Sequence, residues 1–259
     1  MNYVPSSEII YPETEREKLA DLSSLFSEWF EFTRSKSFSR EYSANDLVFD
    51  GFYPFYFDQK VKILFVGRES RGLSGCNYIE ALFKAYKNKV IGKQHINSAF
   101  LHKRLMYITY GLNRDFADWN DIPFADKIVE SFGVKRGISC AFMNISKFSN
   151  EGKRWESDWE LINASFAASR TEGKNLIQAE VEILSPDVII TMHLGDKIKA
   201  LGSIELLDSV GSVSAYRVDI SGRKRLLLDT FHFSALDKDD RIEFYEPICE
   251  NIKKYPELL

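Results

Sequence analysis

Val61-Lys62-Ile63-Leu64-Phe65-Val66, running into Gly67-Arg68-Glu69-Ser70-Arg71-Gly72, is the stretch whose reading decides the fold. Six mostly apolar residues are too few for an ordinary helix, and they stop abruptly in glycine and charge, as a buried strand stops at a loop. Three more runs behave alike: Cys140-Ala141-Phe142-Met143-Asn144-Ile145, Asp187-Val188-Ile189-Ile190-Thr191-Met192 and Arg225-Leu226-Leu227-Leu228-Asp229-Thr230-Phe231. The middle two are almost continuously apolar, which is expected of parallel strands covered on both faces.

Helical patterns are expected between these runs, over 79–90, 125–132, 176–184 and 197–207. Ser185-Pro186-Asp187 stops the third of them just before a strand, and Gly195 opens the helix after that strand. Val213 to Val218 and the last run read as an edge hairpin turned by Ser221-Gly222-Arg223-Lys224. After Pro12, the residues Leu19, Leu22, Leu25, Phe26, Trp29 and Phe30 recur at helical spacing, with Glu13 and Glu15 suited to the positive helix start. Asp50 to Phe57 holds five aromatics among Gly and Pro, and reads as an irregular segment, either a hydrophobic clasp or a wall of a ligand site. The mixed, aromatic segment 95–120 reads as a helical insertion. The expected fold is α/β, a three-layer αβα sandwich around a central four-stranded, mostly parallel sheet, with a helical N-terminal extension over 1–58 packed on a domain over 59–259.

The composition narrows the function classes. Among 259 residues, 34 Lys+Arg stand against 38 Asp+Glu, for a net charge of −4, so bulk charge does not hold this chain to nucleic acid, although a local basic rim remains open. Three scattered cysteines, Cys76, Cys140 and Cys249, provide neither a disulfide framework nor a four-cysteine metal or iron–sulfur site. With no basic n-region before an apolar run at the N-terminus, and no run of ~18 apolar residues, the expectation is a soluble protein of a reducing cytoplasm, without membrane association.

In an open parallel sheet, ligands sit beyond the carboxyl ends of the strands. Polar residues gather there: Gly67, Arg68, Glu69, Ser70 and Arg71 after the first run, Asn144 with Ser146 and Lys147 on the second, His193 after the third, His232 and Ser234 after the last. Taken singly, each has a plain reading. Glu69 suits a surface pair with Arg68 or Arg71, Asn144 a cap or loop tie, and His193 a satisfied loop histidine. Gly67 and Gly72 bracket a loop that is neither a P-loop nor a dinucleotide fingerprint.

The four motifs, in this order, resemble those of the uracil-DNA glycosylase superfamily. Phe65-Val66-Gly67-Arg68-Glu69-Ser70 is similar to its first strand ending in Gly-x-Asp/Asn-Pro, Met143-Asn144-Ile145-Ser146-Lys147 to its Asn-bearing second strand, Pro186 through Gly195 to its third strand ending in Leu-Gly, and Phe231-His232-Phe233-Ser234 to its final His-Pro-Ser. The resemblance spans roughly residues 60 to 245. It departs at Glu69, where the family has Asp or Asn; at Ser70 and Phe233, where it has Pro; and at Arg71, where the strict uracil enzymes carry a Tyr against 5-substituted pyrimidines. The cysteine ligands of the iron–sulfur branches are absent.

The resemblance implies a monofunctional DNA glycosylase, without cofactor, metal or iron–sulfur cluster, acting on a flipped uracil or modified pyrimidine in repair or in defence against phage DNA. It implies that Glu69 orients and deprotonates water and that His232 donates to the base oxygen on which charge develops. Asn144 would read the flipped base, with Gly67, Arg68 and Arg71 around it and Tyr78 or Phe83 stacking on it. Lys147, Lys153, Arg154 and Ser234, together with Arg68 and Arg71, would meet phosphates, and Leu236 would act as an intercalating wedge. Two readings from other classes stand beside this one: a nucleic-acid sensor that has lost the hydrolytic step, and a nucleoside hydrolase acting on free nucleosides.

Overall fold

The computed structural model describes residues 3–6, 8–35, 42–152, 156–171 and 173–259. In chain order the strands are β1 Gly51–Phe52, β2 Ile63–Gly67, β3 Val90–Ile91, β4 Gln94–His95, β5 Ala141–Asn144, β6 Arg170–Thr171, β7 Lys174–Asn175, β8 Val188–Met192, β9 Ser203–Val210, β10 Val213–Ile220 and β11 Arg223–Thr230. The α-helices are α1 Arg16–Ser35, α2 Tyr78–Lys87, α3 Phe100–Asn113, α4 Ala125–Ile128, α5 Trp159–Ala168, α6 Leu176–Leu184 and α7 Glu246–Lys254.

One sheet of seven strands, in the order β1-β5-β2-β8-β11-β10-β9, organises the molecule. The expected count of four is too low, but the four runs read as strands form its centre, β5-β2-β8-β11, and all three pairings among them are parallel. β1 joins one side antiparallel to β5, while β10 and β9 extend the other side antiparallel. Side chains of the central strands alternate between two buried clusters. Ile63, Phe65, Phe142, Ile190 and Leu228 enter one with apolar residues of α2, α3, α4 and α7. Leu64, Val66, Met143, Ile189 and Leu227 enter the other with residues of α1, α5 and α6. Burial on both faces explains why these runs lack a polar alternation.

Several sequence expectations change. The helix expected over 197–207 is a 3-10 turn, Gly195–Ala200, followed by β9. Ile198, Leu201, Ile204 and Leu207 fall three apart and imitate a helical stripe, but hairpin pairing of Ile204 with Val218 and of Leu206 with Tyr216 takes the segment into the sheet. The hairpin turn is shorter than expected, because Arg223 and Lys224 pair with Ile220 and Asp219. Only Ser221 and Gly222 turn, both with positive φ (52° and 82°), as the twist-matched two-residue hairpin requires. That hairpin is not the sheet edge, since β9 covers β10. The helix expected over 79–90 ends at Lys87, and Val90 enters the small β3–β4 hairpin. The one over 125–132 is a single α turn continued as 3-10. The insertion over 95–120 is helical in its α3 portion.

The aromatic segment after Asp50 is a clasp within the core. Phe52, Tyr53 and Tyr56 are buried, and the N–H groups of Phe55 and Phe57 each donate to the buried Glu15 carboxylate at 2.9 Å. Glu15 therefore ties the start of α1 to this segment rather than serving only the helix dipole.

Candidate functional site

Because the four central strands are parallel, their carboxyl ends share one edge of the sheet, where Arg68, Glu69 and Ser70 follow β2, Asn144 ends β5, His193 follows β8 and His232 follows β11. Gly67 and Asn144 are directly paired across β2 and β5. A Cβ at Gly67 would stand 2.8 Å from Asn144 Oδ1 and 3.1 Å from the Phe142 ring, so glycine is what lets Asn144 lie over the end of β2.

Three polar atoms at this edge are buried and have no hydrogen-bond partner: Glu69 Oε2, Ser70 Oγ and Asn144 Nδ2. Buried polar groups are nearly always satisfied, so three such atoms on adjacent strand ends are groups that a bound water or a ligand would satisfy. The other oxygen of Glu69 is engaged, accepting from Asn150 Nδ2 at 3.4 Å and from the Asp158 N–H at 3.3 Å. Burial raises the Glu69 carboxyl above its ordinary range, opposed by these two hydrogen bonds and by the charges of Arg68 and Arg71. A carboxylate with one lone oxygen and a raised affinity for protons suits a general base.

His232 is half-buried and held by its own loop. Its Nδ1 accepts from the Ser234 N–H at 3.3 Å and lies 2.6 Å from Ser234 Oγ. The backbone donor assigns Nδ1 as the acceptor, so the neutral ring carries its proton on Nε2, free to donate. Burial lowers His232 to about 4, helped by the positive charge of Arg68, His193 and Arg104.

Arg104, on α3, shapes this loop. Its buried guanidinium donates to the carbonyls of Phe233 (2.6 Å), Ala235 (2.7 Å) and Lys238 (2.6 Å) and to Asp240 Oδ1 (2.7 Å), and it lies over the Phe244 ring. Phe233 is buried against Phe65 and Phe244, taking as packing the position where the resemblance expects Pro. The sequence signal for Arg104 is a cation set among Leu105, Met106 and Ile108 on a buried helix, a pattern that asks for a buried acceptor cluster.

Arg68 reaches across the edge: Nε and Nη2 donate to the His193 carbonyl at 3.2 and 3.0 Å, and Nη1 donates to Ser157 Oγ at 3.1 Å. His193 holds a positive φ of 56° there, an uncommon conformation for a non-glycine residue. Arg71 donates to the carbonyls of Gly152 and Glu156 at 3.2 and 3.3 Å. Arg68, Ser157, Trp159, His232, Ser234 and Ala235, with Glu156, line a cleft of about 520 Å³.

Other expected site residues lie elsewhere. Lys147 is not on a phosphate rim: it is wholly buried, paired with Asp50 and, at 2.7 Å, with Glu180, under the rings of Phe26 and Trp29. The Asp50 carboxylate also accepts the Asn144 N–H at 2.5 Å, so this buried triad anchors β5 rather than meeting ligand. Tyr78 is buried and stacked on Phe142 (centroids 4.8 Å apart, 18° between planes), which leaves no free face for a base. Phe83 packs near Tyr53 and Phe132 under the Lys87 ammonium, partly buried against the core cluster. Leu236 is 71% exposed. Lys153 and Arg154 lie outside the described residues. Among the described residues no group of three or more His, Cys, Asp or Glu side chains converges as a metal site, and no helix is long and apolar enough to cross a membrane.

No family model matches the chain. It is similar over 77 residues, at 36% identity, to the large ribosomal subunit protein bL9 of Desulfovibrio desulfuricans, a match that takes in 30% of this chain and 44% of that protein. The chain thus spans less than half the length of this relative.

Proposed function

We propose that this chain is a monofunctional DNA glycosylase, a divergent member of the uracil-DNA glycosylase superfamily built as its three-layer αβα sandwich, which hydrolyses the N-glycosidic bond of a flipped uracil or modified pyrimidine in the cytoplasm. The observation that carries this reading is the group of unpartnered buried atoms, Glu69 Oε2, Ser70 Oγ and Asn144 Nδ2, on the same sheet edge as a histidine whose free nitrogen is a donor.

Each residue then has a physical task. Glu69 Oε2 accepts a proton from a water whose oxygen bonds to the sugar C1′, while the electron pair of the breaking C–N bond leaves with the base. Its negative charge also favours the cation-like sugar of the transition state. His232 Nε2–H donates to the base oxygen on which charge develops, and a ring held neutral does this without surrendering its proton. Asn144 Nδ2 donates to an oxygen on the base edge. The burial of Lys147 in its ion pairs withholds its amine from the sugar, which supports a hydrolytic rather than a lyase role for that residue. Arg71, bonded to the carbonyls of residues 152 and 156, presents no aromatic ring against a 5-substituent, which supports tolerance of modified pyrimidines.

The test is base release and alkali-labile strand cleavage on DNAs carrying uracil, a mismatch or a modified cytosine, each run with Glu69→Gln. Product that disappears in the variant is the expected result. Product unchanged in Glu69→Gln, or none on any substrate, overturns the proposal; DNA binding without product points instead to the sensor reading.

A further inference from the structure

Trp159 is the first residue of α5, preceded by Asp158, whose side chain accepts the Leu161 N–H at 3.0 Å and caps the helix. Trp159 is 44% exposed. One side of its ring is taken by the Arg68 guanidinium, 5.3 Å from the centroid, and the ring lines the cleft that His232, Ser234 and Ala235 line as well. Its position is set from below. Glu69 accepts the Asp158 N–H, Arg68 donates to Ser157 Oγ, and Asn150 and Arg71 both donate to the Glu156 carbonyl. The segment bearing the tryptophan is thus tied to the same residues that follow β2, so ring and strand end hold a constant spacing. The cleft pairs this aromatic surface with N–H and O–H donors from Arg68, Ser157 and His232, a combination suited to a planar ring with carbonyl acceptors on its edge.

We propose that Trp159 is the surface on which the substrate's pyrimidine base stacks, and that the Arg68–Trp159 pair, rather than Tyr78 or Phe83, sets base recognition at this edge. The inference deepens the glycosylase reading and rests on it for the identity of the substrate. Stacking a guanidinium on one face of an indole leaves the other for a base, and the guanidinium's positive charge adds attraction for the polar edge of the base.

Tryptophan fluorescence tests this directly. Wild type and Trp159→Phe are titrated with short single-stranded DNA carrying one uracil or one modified cytosine, with the same strand made abasic at that position, and with free deoxyuridine monophosphate. The expected result is quenching by the base-bearing strand, weaker quenching by the abasic one, and loss of the quench in Trp159→Phe, whose affinity stays close to wild type because the phenyl ring still stacks. Trp159→Ala is expected to bind the base-bearing strand about tenfold more weakly, or worse, and the abasic strand unchanged. Wild-type affinity of Trp159→Ala for the base-bearing strand, with base release intact, overturns the role of Trp159 and leaves the glycosylase reading standing. Quenching by free deoxyuridine monophosphate with no base release from any DNA sustains the stacking site and overturns the glycosylase reading. No quenching by any of the three probes overturns the stacking site.

Discussion

A carboxylate withheld from water is a better base and a poorer contributor to folding, and Glu69 is both. Burial raises its proton affinity, so in the folded chain the ionised form carries a penalty that is absent at low pH and grows as pH rises through the folded value. Glu69→Gln is therefore expected to melt at or above the wild-type temperature near neutral pH, with the difference shrinking on acidification, while base release falls by about 10²-fold or more. His232 behaves oppositely: with its ring held down to about 4, the neutral form is the stable one above the ordinary value of 6.5, and that contribution is lost as pH falls through about 4. The pH–rate profile is accordingly expected to show an acid limb belonging to Glu69 and no inflection near 6.5, read from kcat/KM across the acidic to neutral range. At Gly67, where a Cβ would meet Asn144 Oδ1 at 2.8 Å, Gly67→Ala is expected to cost roughly 1–3 kcal/mol in denaturant unfolding and to displace the asparagine.

At the scale of elements, two buried cations hold the edge in place, Lys147 from the loop after β5 and Arg104 from α3. Lys147 balances Asp50 and Glu180, and Asp50 in turn holds the Asn144 N–H. Removing the lysine leaves two carboxylates facing each other in the core. Lys147→Met is expected to cost about 3–5 kcal/mol of folding free energy. If this lysine met phosphate instead, the variant would fold normally and the salt dependence of DNA binding would flatten by about one phosphate contact. Arg104 plays the matching part for the His232 loop by binding four acceptors at once, which only a planar fork of donors does. Arg104→Lys keeps the charge and loses the fork. It is expected to destabilise by roughly 1–3 kcal/mol through unpaired carbonyls, and to lower kcat with little change in KM, as steady-state kinetics would show.

For the whole molecule, the two buried clusters on opposite faces of one sheet bind the N-terminal helix into the same folding unit as the edge. Trp29 of α1 lies wholly within the cluster that includes Leu64 and Val66 of β2. Trp29→Ala is expected to lower stability by about 3–5 kcal/mol while unfolding stays a single transition, coincident by near- and far-ultraviolet circular dichroism. The parallel centre of this sheet was legible because a strand covered on both faces must be apolar at nearly every position, and that leaves a local mark at Val188 to Met192 or Ile63 to Val66. The positions of Glu69, Asn144 and His232 follow from the same mark, since parallel strands put their carboxyl ends at one edge whatever the rest does. The width of the sheet was not legible. Ile198 to Leu207 carries a helical spacing that only pairing with β10 overrides. Nor were the partners of the charged residues: Lys147, Arg104 and Arg68 look alike as letters, and the first two were sent inward by acceptors that lie 97 and 129 residues away along the chain, Asp50 and the Phe233 carbonyl. The amino-acid sequence by itself determined the strands and the edge, because burial pattern is a local property. Which cation serves the core, which aromatic stays free and which lone oxygens face the site were decided by the tertiary structure alone, because hydrogen bonding and stacking are settled between residues that meet only after the chain has folded.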